Sequence, residues 1–337
     1  MVRRNGWVRM AKKSQGKRPG KYHRKGMSLV EVVERFSTDD AAREWFEDAR
    51  WGGEPACPHC GSVNVQTGAK HPSQTHRCRE KGCRKFFSVT TGTAMQSTKL
   101  GLRTWAIAIY LMSTELKGRS SMKFHRDLGI GQKAAWHLAH RLREAWVDTR
   151  IGLFDGPVEI DESYFGGAKK NQPKHKQTAA KGGTAHKTAV LAIKDRKTKK
   201  VSARVIRYVN AATLQGFVKE HAKPGATVYT DGASQYRGLA GYIHSSVAHS
   251  EGEYVKGDVH TNSVESFWSM LKRGYHGVYH RISPKHLGRY AAEFAGRQNM
   301  RELDTIDQMR LLVRGLEGKR LRFTDLTADT GISSKAT

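Results

Sequence analysis

Three acidic residues in the second half of the chain have the types and the surroundings of metal ligands. Asp161 closes the alternating segment VEID, Asp231 closes the segment ATVYTD, and Glu265 follows in an amphipathic stretch after 33 intervening residues. Carboxylates from the ends of two strands and from a facing helix can converge on one pocket. Hard divalent cations such as Mg²⁺ or Mn²⁺ prefer such oxygen ligands and keep positions open for water and phosphate. The pattern therefore predicts a magnesium or manganese site suited to phosphate chemistry.

The stretch HTNSVESFWSMLK, residues 260–272, supports two interpretations of Glu265. Asn262 and Glu265 have the N-cap and N3 spacing of a capping box, which is a purely structural role. Seven residues turn a helix through nearly two revolutions, so Glu265 and Lys272 share one face. A carboxylate for metal and an ammonium for phosphate on one face exceed what a cap requires, which favours Glu265 as a ligand.

The elements that must position these acids begin near residue 157. Alternation predicts strands at 158–161, 187–194 and 201–207, a helix at 210–221 with Asn210 as its cap, and strands at 226–232 and 242–249. With the helix of residues 260–272, this order predicts a mixed sheet flanked by helices. Within the first strand, Glu162 is expected to point to the face opposite Asp161.

All four cysteines of the chain lie within one short segment. They form two close pairs with seventeen residues between the pairs: Cys57 with Cys60, and Cys78 with Cys83. This clustering argues against a disulfide framework and for a metal site in a reducing compartment. The pattern predicts a zinc ribbon with a structural Zn²⁺, because four sulfurs complete its tetrahedron. His59 or His76 could stand in as a ligand, but the four sulfurs already fill the site.

Residues 102–147 have helical spacing, with an apolar helix, a short helix, a glycine-containing turn at 128–131 and a longer basic helix. This outline predicts a helix-turn-helix, although any three-helix bundle with a glycine turn has a similar pattern. The surrounding positive charge favours DNA binding. The side chains predicted to face a major groove are Gln132, Lys133, His137, His140 and Arg141.

The charge of the chain favours a polyanionic partner. Its 337 residues include 59 Lys and Arg against 31 Asp and Glu, a formal net charge of +28, and such an excess attracts nucleic acid. The first 26 residues carry ten Lys and Arg and no acid, which predicts a disordered basic arm. The lysine-rich segment 166–187 is expected to be a long loop that either grips phosphates or is simply solvated. No apolar run suggests a secretory signal or a membrane span, so we expect a cytoplasmic, nucleoid-associated protein without a membrane partner.

The order of ribbon, helix-turn-helix and the motifs IDESYFGG, VYTDGASQY and NSVESFWSMLKRG resembles that of bacterial insertion-sequence transposases with a ribonuclease-H-like catalytic core. The resemblance covers roughly residues 50–300. In that family two aspartates and a glutamate, or in some branches an asparagine, form a DDE-type metal-binding triad, often with a basic residue seven positions after the glutamate. The resemblance implies the triad Asp161, Asp231 and Glu265, the basic residue Lys272, and Asn262 as an alternative third ligand.

The resemblance also implies DNA transposition. Two Mg²⁺ or Mn²⁺ ions in the active site would assist a hydrolysis that frees a 3′-hydroxyl at the end of the element, and that hydroxyl would attack target DNA. The partners would be double-stranded DNA, including terminal inverted repeats, and further copies of the chain in a dimer or larger assembly. Two other classes stay open: a DNA-binding regulator without catalysis, and a ribonuclease-H-like nuclease without strand transfer.

The predicted fold class is multidomain, with an α/β ribonuclease-H-like core preceded by a small zinc ribbon and an all-α helix-turn-helix domain. The predicted boundaries are 1–27 for the basic arm, 28–53 for short helices, 54–95 for the zinc ribbon, 96–150 for the helix-turn-helix domain, 151–300 for the catalytic domain and 301–337 for a C-terminal helix and tail.

Overall fold

The computed structural model describes residues 25–147, 152–167, 184, 187–247 and 260–328. Its helices are α1 Leu29–Arg35, α2 Asp39–Trp51, α3 Leu102–Thr114, α4 Ser121–Leu128, α5 Gln132–Arg143, α6 Ala211–His221, α7 Asn262–Gly274, α8 Pro284–Met300, α9 Thr305–Gly315 and α10 Phe323–Thr327. Its strands are β1 Val65–Thr67, β2 His76–Cys78, β3 Phe86–Phe87, β4 Val158–Phe165, β5 Thr188–Asp195, β6 Val201–Ile206, β7 Thr227–Asp231 and β8 Ile243–Val247.

The cysteine-rich segment folds as a small antiparallel sheet of β1, β2 and β3 in that order. His76 in β2 stacks on Phe87 with 5.3 Å between ring centroids, and the indole of Trp51 meets both rings edge-on, at 5.1 Å from His76 and 6.0 Å from Phe87. Trp51 is the last residue of α2, which ends at Gly52 in a left-handed conformation that suits glycine. This aromatic stack joins α2 to the ribbon, so His76 serves packing rather than metal binding.

A single hydrophobic core unites helices that are far apart in the sequence. α3 is buried on most of its surface, with Trp105, Ile109 and Met112 fully buried, as expected for a helix that is apolar all round. α1, α2, α4, α5 and α9 contribute to the same core. Described residues from the predicted segments 28–53, 96–150 and 301–337 thus pack in one apolar interior.

The second half of the chain forms a five-stranded sheet in the order β6-β5-β4-β7-β8. β5 is antiparallel to β4 and β6, whereas β7 is parallel to β4 and β8. α6 covers one face, and α7 with α8 covers the other. The predicted sequence of three strands, a helix, two strands and a helix is confirmed, as is Asn210 as the cap of α6.

A buried ionic network joins the helical unit to the sheet unit. Arg143 at the end of α5 donates to Glu293 in α8 over 2.7 Å, and both side chains are almost completely buried. Arg297 donates to the second oxygen of Glu293 at 2.7 Å, and the Tyr279 hydroxyl lies 3.3 Å from Arg143. A buried carboxylate with two arginine partners is costly to break, so this network fixes α8 against α5.

Parts of the predictions fall outside the described residues. These include residues 1–24 of the basic arm and most of the lysine-rich loop at 166–187. The last residues of the predicted arm are held by the fold: Thr305 donates its amide to the carbonyl of Lys25 at 3.1 Å, and Tyr110 donates its hydroxyl to the carbonyl of Met27 at 2.9 Å. Of the helices that the structure describes, none combines the length and the apolar character needed to cross a bilayer.

Candidate active site

Asp161 lies on the central strand of the five-stranded sheet, on the face that α7 covers. Its Oδ2 accepts a hydrogen bond from the indole of Trp268 at 2.9 Å, and its Oδ1 accepts one from the amide of Glu162 at 2.8 Å. The predicted position at a strand end is wrong, because pairing with β5 continues as far as Phe165 opposite Thr188. These bonds fix the carboxylate in the middle of β4.

Asp231 ends β7, the parallel neighbour of β4, as predicted. The register pairs Val158 with Val228 and Glu159 with Tyr229. Continuing that register by two residues brings Asp231 level with Asp161 on strands about 4.8 Å apart. The extended register therefore predicts that the two aspartates are neighbours across the two strands.

The crowding of acids raises the pKa values of two carboxyl groups. The pKa of Asp161 is raised to about 6, first by burial and then by the charge of Asp231, with a smaller contribution from Glu265. Burial and the same Asp231 charge raise the pKa of Glu162 to about 7. As predicted, Glu162 points to the opposite face of β4, where it accepts a hydrogen bond from Tyr236 at 3.2 Å. An all-oxygen set of mutually repelling carboxylates fits a hard divalent cation, which would relieve that repulsion.

Glu265 projects from the first turn of α7. The structure starts this helix at Asn262, with Thr261 as the N-cap residue and no capping hydrogen bond from its side chain. The alternative interpretation, in which Asn262 is the N-cap of a capping box, does not hold, because Asn262 is already in the first helical position. Glu265 accepts a hydrogen bond from the Thr261 hydroxyl at 3.0 Å. Glu265 and Lys272 are both exposed, in keeping with their predicted common face.

The three carboxylates are electrostatic neighbours without touching. Among the described residues, three or more ligand atoms of Cys, His, Asp or Glu lie within 4.8 Å of one another only at the cysteine cluster. Asp161, Asp231 and Glu265 share one neighbourhood, as the causes of the raised pKa of Asp161 indicate. The triad therefore stays a prediction, supported by the effect of the Asp231 and Glu265 charges on Asp161.

A buried glutamate that the sequence analysis did not use lies two residues before Asp161 on the same face of β4. Glu159 is fully buried and accepts hydrogen bonds from Arg196 at 2.6 Å and from the amide of Val264 at 2.9 Å. On β5, directly opposite Glu159, Lys194 donates to α7. The position of Glu159 between Val158 and Ile160 was the available signal, because a charge between buried residues requires partners.

The four cysteine sulfurs form a compact cluster. The Sγ atoms of Cys57 and Cys83 are 3.8 Å apart, and those of Cys60 and Cys78 are 3.6 Å apart. A tetrahedral site with zinc–sulfur bonds of about 2.3 Å places its sulfurs about 3.8 Å from one another. The sulfur positions and the donor chemistry therefore fit Zn²⁺, with no need for His59, which is exposed.

The helices α4 and α5 are joined by a three-residue turn, and only part of α5 is open to solvent. Gln132 and Lys133 are exposed at its N-terminus, and His137 is partly buried against the carbonyl of Leu321. His140 and Arg141 are buried, so the prediction that they face a groove is corrected.

The buried residues His140 and Arg141 in the C-terminal part of α5 have specific partners. Burial strongly lowers the pKa of His140, which is packed between Trp136 and His286 and stays neutral. Arg141 donates to the backbone carbonyls of Ala94 and Gln96. Both side chains, His140 and Arg141, are therefore part of the buried interior of the protein.

Two family models match this chain, one over the five-stranded sheet and one over the cysteine-rich segment. A model described as an ISXO2-like transposase domain matches residues 154–299, which hold the five-stranded sheet and its helices. A model described as a transposase zinc-ribbon domain matches residues 37–86, which include α2 and the cysteine cluster. An uncharacterized protein in transposable element ISH50 of Halobacterium salinarum is 27% identical over 254 residues, which cover 72% of this chain and 84% of that protein. With matches to a zinc-ribbon model and a transposase-domain model in this order, and a relative from a transposable element, the chain is similar to insertion-sequence transposases that carry an N-terminal zinc ribbon.

Proposed function

We propose that the chain is a DDE-type transposase that binds the terminal inverted repeats of a mobile element, cleaves DNA at its ends and joins the freed 3′-hydroxyl to target DNA. The observation that carries the proposal is that Asp161 and Asp231 lie on neighbouring parallel strands and that the charges of Asp231 and Glu265 both act on Asp161. The strand order, with a central β4 antiparallel to β5 and parallel to β7, supports a ribonuclease-H-like core.

Asp161, Asp231 and Glu265 would hold two Mg²⁺ or Mn²⁺ ions. When bound, such ions neutralise charge on a phosphate and activate an attacking oxygen. Trp268 orients Asp161 by donating to its Oδ2, which leaves that carboxylate with a fixed direction. Glu265 would exchange its hydrogen bond from Thr261 for the cation, and its exposed position gives it room to turn.

The phosphate of the DNA end would meet Lys272. This lysine is exposed two helical turns after Glu265 on the same face of α7. Its ammonium group would hold the phosphate oxygens close to the acidic pocket, where carboxylates alone would repel them. Asn262, three residues before Glu265 on α7, is the alternative third ligand.

The N-terminal half of the chain would recognise the DNA. Recognition helices contact base edges mainly with their N-terminal residues, and Gln132 and Lys133 are the exposed residues there. The ribbon would be held by a structural Zn²⁺, and the net charge of +28 would add affinity without sequence preference. Because an element has two ends, the proposed assembly is a dimer or larger.

Neutralising either aspartate tests the catalytic proposal. We expect Asp161→Asn and Asp231→Asn each to reduce Mg²⁺-dependent nicking by at least about 100-fold, because losing a ligand costs more than losing a partner of a ligand. The substrate is a plasmid that carries the DNA flanking the coding sequence on both sides, and gels measure both nicked and joined products.

Asp155→Asn is the matched control, because Asp155 is an exposed residue whose partner is Lys223 at the surface. Nicking that persists in either active-site variant would contradict the metal site. Nicking by the wild-type chain without any joined product would instead favour the nuclease class, and binding without nicking would favour the regulator.

A pair of substitutions on α7 tests the third ligand. We expect Glu265→Gln to lose about 100-fold in nicking rate, because an amide is a poorer magnesium ligand than a carboxylate. Glutamine can still accept from the Thr261 hydroxyl, so the helix start is retained. Asn262→Ala, which removes an exposed side chain, should stay within about threefold of the wild-type rate. The reverse order of the two rates would transfer the ligand role to Asn262.

The ribbon proposal is tested by metal content. We expect elemental analysis of the purified chain to find about one zinc per chain, since four sulfurs fill one tetrahedron. Cys60→Ser should lower the zinc content and make the ribbon sensitive to protease, whereas His59→Ala on the neighbouring exposed residue should change neither. Full zinc retention in Cys60→Ser would argue that this cysteine is not a ligand.

DNA recognition by α5 is tested through salt dependence. Lys133→Ala should weaken binding to all DNA sequences and reduce the slope of log K against log salt by about 1, because one phosphate contact is lost. Gln132→Ala should instead weaken discrimination between end DNA and random DNA. Lys219→Ala, an equal charge loss at an exposed position on α6, provides the control. Equal slopes for Lys133→Ala and wild type would place α5 away from the DNA backbone.

A further inference from the structure

A cluster of charged side chains lies beneath the first turn of α7. Its members, called here the strand clamp, are Glu159 of β4, Lys194 of β5 and Arg196 just after β5. Glu159 and Lys194 are direct neighbours in the antiparallel register, and both are buried. The clamp lies on the face of the sheet that carries Asp161.

The strand clamp binds the backbone of α7 from several directions. The Oε2 atom of Glu159 accepts from the amide of Val264 at 2.9 Å, and the Nζ of Lys194 donates to the carbonyl of Ser263 at 2.7 Å. Lys194 also donates to the Ser266 hydroxyl at 3.1 Å. Arg196 donates 2.6 Å to the other oxygen of Glu159. It also donates to the carbonyl of the residue before Thr261, His260, at 2.6 Å.

These contacts take the place of a conventional cap. The first amides of a helix have no acceptor within the helix, and the Thr261 side chain does not cap α7. A carboxylate at a helix N-terminus is favoured by the partial positive charge there. Because the acceptor is fully buried and comes from a strand, the amide of Val264 can be satisfied only when α7 starts at this place on the sheet.

The connection to the acidic pocket is short on both sides. On β4, one residue separates Glu159 from Asp161, and both face α7. On α7, Val264 directly precedes Glu265. We propose that Glu159, supported by Lys194 and Arg196, is a positioning residue that sets the distance from Glu265 to Asp161 without itself binding metal. This inference rests on the metal site of the proposed function.

Terbium luminescence on the full-length chain tests the positioning role. Tb³⁺ prefers carboxylate oxygens, and the Trp268 indole is hydrogen-bonded to Asp161, so excitation of tryptophan should sensitise a bound Tb³⁺. We expect saturable emission for the wild-type chain and its loss in Asp161→Asn. In Glu159→Gln the apparent affinity for Tb³⁺ should fall by about 10- to 100-fold, the usual effect of removing an outer partner of a metal ligand.

Glu293→Gln is the matched control, because Glu293 is equally buried and paired with arginines but belongs to the network between α5 and α8. Its Tb³⁺ affinity should stay within about twofold of wild type. Lys194→Met provides a second variant in case Glu159→Gln does not fold, since it keeps the aliphatic length and removes the donors to Ser263 and Ser266 together with the positive charge beside Glu159. It should also weaken Tb³⁺ binding by about tenfold or more.

The outcomes separate the two levels of the proposal. Wild-type affinity in Glu159→Gln, or in Lys194→Met if the former is unfolded, overturns the positioning role and leaves the metal site standing. An equal loss in Glu293→Gln also overturns it, because general destabilisation would then explain the result. No Asp161-dependent emission from the wild-type chain overturns the metal site itself and the positioning role with it.

Discussion

A carboxylate that is completely removed from water must have donors around it, and in this chain that constraint falls on Glu159. Its donors come from two places in the sequence: the residue after β5, and the first turn of α7. Satisfying one buried charge therefore ties the middle of the sheet to the start of the helix. Asp161 lies two residues from Glu159 and Glu265 directly follows Val264, so the proposed metal site would depend on that tie.

A second buried carboxylate connects the two halves of the molecule. Glu293 in α8 pairs with Arg143, the last residue of α5. α5 thus has an exposed start, with Gln132 and Lys133, and an end that is bonded to a helix of the sheet unit. α8 and α7 cover the same face of the sheet in one hydrophobic core. DNA held by the start of α5 would consequently stand in a fixed relation to the acidic pocket, with no flexible linker among these contacts.

The sequence predicted those features that depend on local pattern. The alternating strands and the Asn210 cap each depend on a few neighbouring residues, and the structure contains both. The two close cysteine pairs predicted a four-sulfur cluster, which the structure also contains. The errors arose where a distant partner decides. Asp161 is not at a strand end because β5 continues to pair beyond it. Arg141 has helical spacing suited to a groove, but the carbonyls of Ala94 and Gln96, some 45 residues earlier, capture it. Thr and Asn are both favoured as N-cap residues, so the local sequence did not decide whether α7 begins after Thr261 or after Asn262.

An acidic pocket in a chain with a net charge of +28 raises the question of how DNA could approach it. The carboxylates of the proposed site would repel phosphates, while the basic excess of the chain would attract the duplex as a whole. The two tendencies are compatible only when positive charge lies between the acids and the scissile phosphate. Lys272, exposed on the Glu265 face of α7, supplies part of it, and divalent cations would supply the rest. Repulsion between the carboxylates and a phosphate would therefore make the approach of DNA to this site depend on bound metal. A chain that binds DNA of any sequence would then cut it only where the cations and a phosphate come together.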